Sequence, residues 1–223
     1  LKNGLASLLE IESGSNDPIA NLMTIILLSI IQNGSATGSG ILLIKQIVIG
    51  VALGVFWGVV IAYILRKVES IGDGLDTILV FATALFAYGL TNKLGGNGYL
   101  AAYITGIILG NSKIPNKVTM VHFFDSMTSL VQMLVFFILG LLSYPTQVAQ
   151  YLPDAIAVML FLTLIARPMA VAILMTPFKV PIRDQIFISW AGLRGASAIV
   201  FAIVVTVSNV YNENKIFNIV FCV

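Results

Sequence analysis

An all-α polytopic membrane protein is predicted from three observations. Hydrophobic residues make up 58% of the chain and charged residues only 10%, against about 25% charged in soluble domains. The mean hydropathy is +0.99. The apolar residues fall in runs of spanning length, because a hydrocarbon core about 30 Å thick needs about 20 helical residues rising about 1.5 Å each.

Seven full or near-full helices follow, over residues 5–31, 41–65, 75–92, 97–111, 123–143, 152–176 and 184–209, and another begins near Ile216. The first carries acids at its head and then runs apolar through "LMTIILLSII". The second is interrupted only by Lys45 and Gln46, and the third ends at the Gly-rich loop "KLGGNG". The fourth, "NGYLAAYITGIILGN", is short for a full span and is expected to be tilted or half-buried in protein. The fifth opens on "FFDSM", the sixth contains "ARPMAV" and the seventh contains "GLRGA".

Basic residues test this layout, since cytoplasmic loops collect Lys and Arg. Loops after the second, fourth and sixth helices hold Arg66, Lys67, Lys113, Lys117, Lys179 and Arg183, whereas the intervening loops hold only Lys93 and Lys215. This alternation places the loop at 32–40 outside and the start of the first helix in the cytoplasm. The formal charge of +2 therefore reflects orientation, and no nucleic-acid partner is inferred. One cysteine, Cys222, and one histidine, His122, exclude a disulfide framework and a zinc-type ligand cluster. No cofactor is expected. The chain begins at Leu1 and ends in "KIFNIVFCV", which reads as a piece of a longer protein.

Charged side chains cost about 2.5–3.5 kcal/mol each at a helix centre, so those retained in a span mark ion paths or pair with one another. The acids Glu10, Glu12 and Asp17 head the first helix. Residues four apart share a face, so Glu12 lies over Asn16 and Ser13 over Asp17. Pro18 removes a backbone donor and loosens the preceding turn, while Gly14 permits close approach. Several oxygens around one carboxylate suit a hard monovalent cation; the alternative is a capping arrangement of Ser15, Asn16 and Asp17 at a helix N-terminus. In "SWAGLRGASAIVFA", Arg194 stands between Gly192 and Gly195, about 15 Å along the helix from Asp184. A guanidinium at that depth needs a carboxylate from another helix, and the flanking glycines suggest unwinding or close packing. Arg167, just before Pro168, invites either a pairing with an acid or carbonyls, or an ion-path role. Asp125, Asp154 and Asp184 lie nearer helix ends and read as interfacial.

The segments "ESGSND", "GNGYLAAYITGIILGN", "FFDSMTSLVQMLVFFILGLL", "ARPMAV" and "ISWAGLRGASAIVFA" resemble, in order and over nearly the whole chain, the monovalent cation/proton antiporters of the first cation/proton antiporter group. "RDQIFISWAGLRGA" is similar to bacterial potassium/proton members. The resemblance implies an antiporter fold with core and dimerisation bundles, inverted repeats and an unwound crossing helix, here lacking N-terminal helices and the C-terminal end. Residues 1–31 and 152–223 would belong to the core, 41–66 to a linker helix and 75–143 to the dimerisation bundle. It also implies that Asp17 binds cation and proton, that Ser13 adds a hydroxyl to the shell, that Asn16 braces the site without titrating, and that Glu12 forms an ion pair with Arg194. Ala196, Ser197 and Ala198 depart from the family's more usual "GLRGAVPI", and Ser15 replaces a bulkier apolar residue.

The function expected from this resemblance is exchange of K+ or Na+ for H+, electroneutral and with alternating access, in a homodimeric plasma-membrane transporter serving pH homeostasis. Burial favours a neutral carboxyl and a bound cation favours the ionised one, so the two compete. A cation channel is the alternative, though no repeated filter-like loop occurs. An intramembrane protease would need a GxSG serine with a membrane histidine, or a GxGD aspartate, and the sequence holds neither.

Overall fold

The computed structural model describes residues 5–33, 37–67, 74–142, 145–191, 197–208 and 213–222. In order these form α1 (Leu5–Asn33), α2 (Thr37–Lys67), α3 (Leu75–Lys93), α4 (Gly98–Asn111), α5 (Lys117–Leu142), α6 (Pro145–Phe161), a π-helical turn (Leu162–Ala166), α7 (Arg167–Met175), α8 (Ile182–Ala191), α9 (Ser197–Val207) and α10 (Glu213–Cys222). Among the described residues there is no strand. Five stretches among the described residues are long and apolar enough to cross a membrane: Ser7–Gln32, Gly40–Lys67, Leu75–Lys93, Lys117–Leu141 and Gln150–Met175.

Where observed and expected elements differ, the chain explains why. The 14 residues of α4 reach only about 21 Å, so α4 by itself is shorter than the hydrocarbon core. The sixth expected helix is a continuous rod with a wide turn in it. Pro168 has no N–H and its ring crowds the carbonyl four residues back. The strain is taken up by the π turn, in which the Arg167 N–H bonds to Leu162 O, five residues back. The seventh expected helix is described as α8 and α9, and residues 192–196 between them lie outside the described residues.

The chain forms two compact units, one of residues Asp17–Val135 and one combining Leu1–Asn16 with Phe136–Val223. The boundary falls within α1. In the first unit α4 packs between α2 and α3. Lipid tails are as apolar as leucine, so helices in a bilayer associate through close packing and polar contacts rather than through hydrophobic burial. Here the closeness comes from Gly50, Gly54 and Gly58, spaced by four on one face of α2. A Cβ at Gly54 would stand 2.8 Å from Ala101 O and 3.0 Å from Ala101 Cα of α4. The approach lets buried Thr105 bond Gly54 O at 3.1 Å while also bonding Ala101 O at 2.9 Å. Ile61, Leu65, Val80, Leu109 and Met120 close the apolar end of this bundle.

Gly54→Ala should therefore lower the melting temperature of the full-length protein in detergent, with a loss of about 1–3 kcal/mol from overpacking against backbone. Gly89→Ala is the control. Nothing lies within 4 Å of the added methyl there, and alanine favours the helix. An equal loss at both positions would contradict the close α2–α4 contact.

The second unit packs α10 on α6 and α9, and α7 on α8. Its Asp154 and Lys215 pair at 2.7 Å between α6 and α10. That hydrogen bond, with the charge of Asp154, holds the exposed Lys215 ammonium above the ordinary lysine range.

Candidate functional site

The site begins on α1. Ser15, Asn16 and Asp17 are weak helix formers, yet they lie inside α1, which begins at Leu5. The N-terminal capping alternative therefore does not apply to them. Ser15 Oγ is satisfied locally, donating to Ile11 O at 2.7 Å and Glu12 O at 3.3 Å. That bond removes the hydroxyl's competition with the helix. Ser13 and Asn16 are exposed, while Asp17 is half-buried one turn after Ser13. No salt bridge to Asp17 occurs among the described residues.

Glu12 is different. Its Oε1 lies 2.7 Å from Arg167 Nη2, and the same nitrogen donates to Ile188 O of α8 at 3.3 Å. The π turn and Pro168 start α7 at Arg167, so the guanidinium serves an acid of α1 and a carbonyl of α8 at once. The Arg167 and Glu12 side chains are 25% and 32% exposed, so the pair is partly desolvated. Arg167 Nε is buried and finds no acceptor among the described residues. Of the two roles open to Arg167, pairing with an acid and a carbonyl is the one observed. The expected partner of Glu12, Arg194, lies outside the described residues together with Gly192 and Gly195, as does the Glu10 side chain.

Within the unit of Asp17–Val135, Asn97 is the feature that sequence reasoning missed. It caps α4, its Oδ1 accepting from Leu100 N–H at 2.9 Å, and it is buried. Its Nδ2 donates to Asn21 Oδ1 at 3.1 Å and to Pro18 O at 3.4 Å, and its own N–H bonds Gln46 O at 3.1 Å. One side chain thus ties the start of α4 to α1 beside Asp17, and its backbone ties it to α2. The available signal is an Asn in "GGNG" at the very start of the expected fourth helix, 97–111, where an N-cap side chain belongs. Tyr99, on the first turn of α4, interacts electrostatically with Asp17 and hydrogen-bonds Tyr88 of α3. Asp76, also unremarked in the sequence, is 2% exposed and accepts from Asn116 Nδ2 at 3.3 Å; it braces the start of α3.

Membrane-length helices, one of which carries both a Glu12 held by Arg167 and a half-buried Asp17 with no salt bridge among the described residues, define a multi-pass membrane protein. The comparisons with known proteins specify which. Residues 1–223 match the family described as "Sodium/hydrogen exchanger, transmembrane", and the chain belongs to that family. It is 36% identical over 225 residues to the K(+)/H(+) antiporter NhaP of Alkalimonas amylolytica, covering 100% of this chain and 39% of that protein. It is 37% identical over 228 residues to the K(+)/H(+) antiporter NhaP2 of Shewanella oneidensis, covering 100% of this chain and 40% of that one. With the Na(+)/H(+) antiporter NhaH of Halobacillus aidingensis it shares 29% identity over 220 residues, 91% of this chain and 53% of the relative. The chain thus spans 39–40% of the length of the two potassium relatives.

Proposed function

We propose that this chain forms the cation- and proton-binding part of a secondary transporter that exchanges K+ or Na+ for H+ across a membrane. One observation carries the reading: the two central carboxylates of α1 are differently engaged. Glu12 is held by Arg167, while Asp17, five residues on, has no salt bridge among the described residues. A paired acid keeps its charge, whereas an unpaired one beside the hydroxyl of Ser13 and the neutral amide of Asn16 can take either a proton or a cation. Competition for that single group gives exchange. With one titrating carboxylate, one proton leaves for each cation bound and no net charge moves.

The names of the relatives support potassium or sodium as the cation. Arg194, between Gly192 and Gly195, is proposed as a second donor to Glu12. Residues 1–31 and 152–223 are proposed as the moving core, 41–66 as the linker and 75–143 as a homodimer surface in the plasma membrane, with the start of α1 cytoplasmic. Exposed Leu130, Met133 and Phe137 on α5 are the apolar surface such a bundle would turn toward lipid or a second copy.

The test is a pH-dye assay on the full-length protein in proteoliposomes, titrated with K+, Na+ and Li+ in turn. Addition of K+ or Na+ outside the vesicles is expected to drive protons out and alkalinise the lumen, at a rate unaffected by an imposed membrane potential. No response to any of the three cations would overturn the exchange reading. A current varying linearly with potential would favour a channel.

A further inference from the structure

The turn between α3 and α4 lies deep along its neighbours. Asn97 N–H bonds Gln46 O of α2 at 3.1 Å, and a Cβ added at Gly96 would stand 2.5 Å from Ile49 Cγ2. Gln46 and Ile49 are six and nine residues past Gly40, where the α2 span begins, which is about 9 and 14 Å along the helix. The Asn97 side chain meets Pro18 O and Asn21 Oδ1 of α1. Those residues are fourteen and eleven before the Gln32 end of the α1 span, or about 21 and 16 Å. A tilt of about 20° removes little of this depth. In a hydrocarbon core about 30 Å thick, even the smallest of these distances sets the turn below the membrane surface.

The polar groups at that depth are not all satisfied by protein. The N–H groups of Leu94, Gly95 and Gly96 bond to Leu90 O, Asn92 O and Thr91 O, but the carbonyls of Lys93, Leu94 and Gly95 accept no backbone bond among the described residues. All three residues are exposed. Exposed Lys45 lies over the turn, its Nζ 3.1 Å from where a Cβ on Gly95 would stand, and makes no salt bridge among the described residues. Beneath the turn, Gln46 Oε1 and Thr91 Oγ1 are buried and find no partner, at 8% and 0% exposure of their residues. Thr83 and Thr105 spend their hydroxyls on the carbonyl four residues back, and Thr91 does not. Non-helical backbone at membrane depth occurs only where protein buries it or water reaches it, and a charged ammonium is costly against lipid. The carbonyls call for donors and the ammonium for acceptors; water supplies both. We propose that the α3–α4 turn is the floor of a water-filled vestibule, open at the end of the bundle where α1 gives way to α2, through which the monovalent cation and the proton reach the layer of Asp17. Asn97 closes the bottom, its amide reaching the carbonyl of Pro18, the residue after Asp17. What passes through rests on the exchange reading above; the presence of water does not.

The experiment places single cysteines in a cysteine-free background of the full-length protein in proteoliposomes. Leu94→Cys tests the turn. Gly38→Cys, at the start of α2 with nothing within 4 Å of the added Cβ, reports the membrane surface at the same end, and Leu85→Cys, on an exposed apolar position of α3, reports lipid. Two membrane-impermeant thiol reagents are compared, a small charged methanethiosulfonate and a maleimide on a long polyethylene glycol chain. Gly38→Cys is expected to react with both, Leu85→Cys with neither, and Leu94→Cys with the small reagent alone, from the side that labels Gly38→Cys. Modified Leu94→Cys should then lose K+-driven proton movement, while modified Gly38→Cys keeps it. A Leu94→Cys that resists the small reagent would overturn the vestibule, since the turn is then covered by protein; equal reaction with the bulky reagent would overturn it too, since the turn then lies at the surface. Labelling with exchange intact would overturn the route. Should Leu94→Cys not fold, Lys93→Cys takes its place. A wild type that moves no protons with any cation overturns the exchange reading, and the labelling pattern still decides the vestibule.

Discussion

Asp17→Asn in the full-length protein is expected to abolish cation-driven proton movement in proteoliposomes while leaving the protein folded. The two side chains are nearly isosteric, and Asp17 is half-buried without a salt bridge among the described residues. No paired charge is orphaned by the change. The loss should therefore appear in transport and not in melting temperature, which separates this position from Glu12. An amide neither titrates nor supplies a full negative charge to a cation, so both halves of the competition fail together. Asp17→Glu keeps a titratable group but displaces it by one methylene, and should retain a small fraction of the rate. Preserved pH-dependent exchange in the Asn variant would remove Asp17 from the mechanism.

The fold was legible wherever the physics is one-dimensional. Apolar run length set the positions of α1, α2, α3 and α5, because a span must satisfy its backbone within itself. Local spacing also separated Glu12 from Asp17 on α1, since side-chain direction repeats every turn. What spacing along one helix does not contain is the identity of a partner on another. Arg167 and Arg194 are both flanked by helix-perturbing residues, Pro168 in one case and Gly192 with Gly195 in the other. Nothing in the order of the chain says that Arg167 reaches Glu12, 155 residues away. The π turn that aims Arg167 follows from Pro168 only once the neighbouring helices are present to keep the rod continuous. Asn97 was missed for a related reason. In sequence it is a polar residue in a Gly-rich turn; its importance lies in a bond to Pro18 O and a bond to Asn21, which only tertiary packing brings within reach. Gly50, Gly54 and Gly58 recur at a spacing of four in the sequence, but what they do depends on which helix lies against them.

The pair of Glu12 and Arg167 yields the largest expected effect on stability. Removing one partner of a fully buried ion pair costs about 3–5 kcal/mol, because a charge is left without compensation. At 25% and 32% side-chain exposure solvent relieves part of this, so Glu12→Ala or Arg167→Ala should each lose about 1–3 kcal/mol. The measurement is the melting temperature of the full-length protein in detergent, with yield of folded protein as a second readout. Arg167→Ala should be the worse of the two, since it also releases Ile188 O, the carbonyl of α8 that the same nitrogen bonds at 3.3 Å. The charge-swapped variant Glu12→Arg with Arg167→Glu should recover part of the loss and no more: a carboxylate at position 167 restores the attraction to position 12 but faces the Ile188 carbonyl with a second acceptor. Lysine at 167 should lie between wild type and alanine, keeping the charge while losing the guanidinium's planar set of donors. The same double-mutant cycle run on Glu12 and Arg194 measures the second proposed partner on an equal footing. If Glu12 serves both arginines through its two oxygens, both cycles give a coupling; a coupling confined to Arg194 would mean that the Arg167 contact does not hold α1 in place.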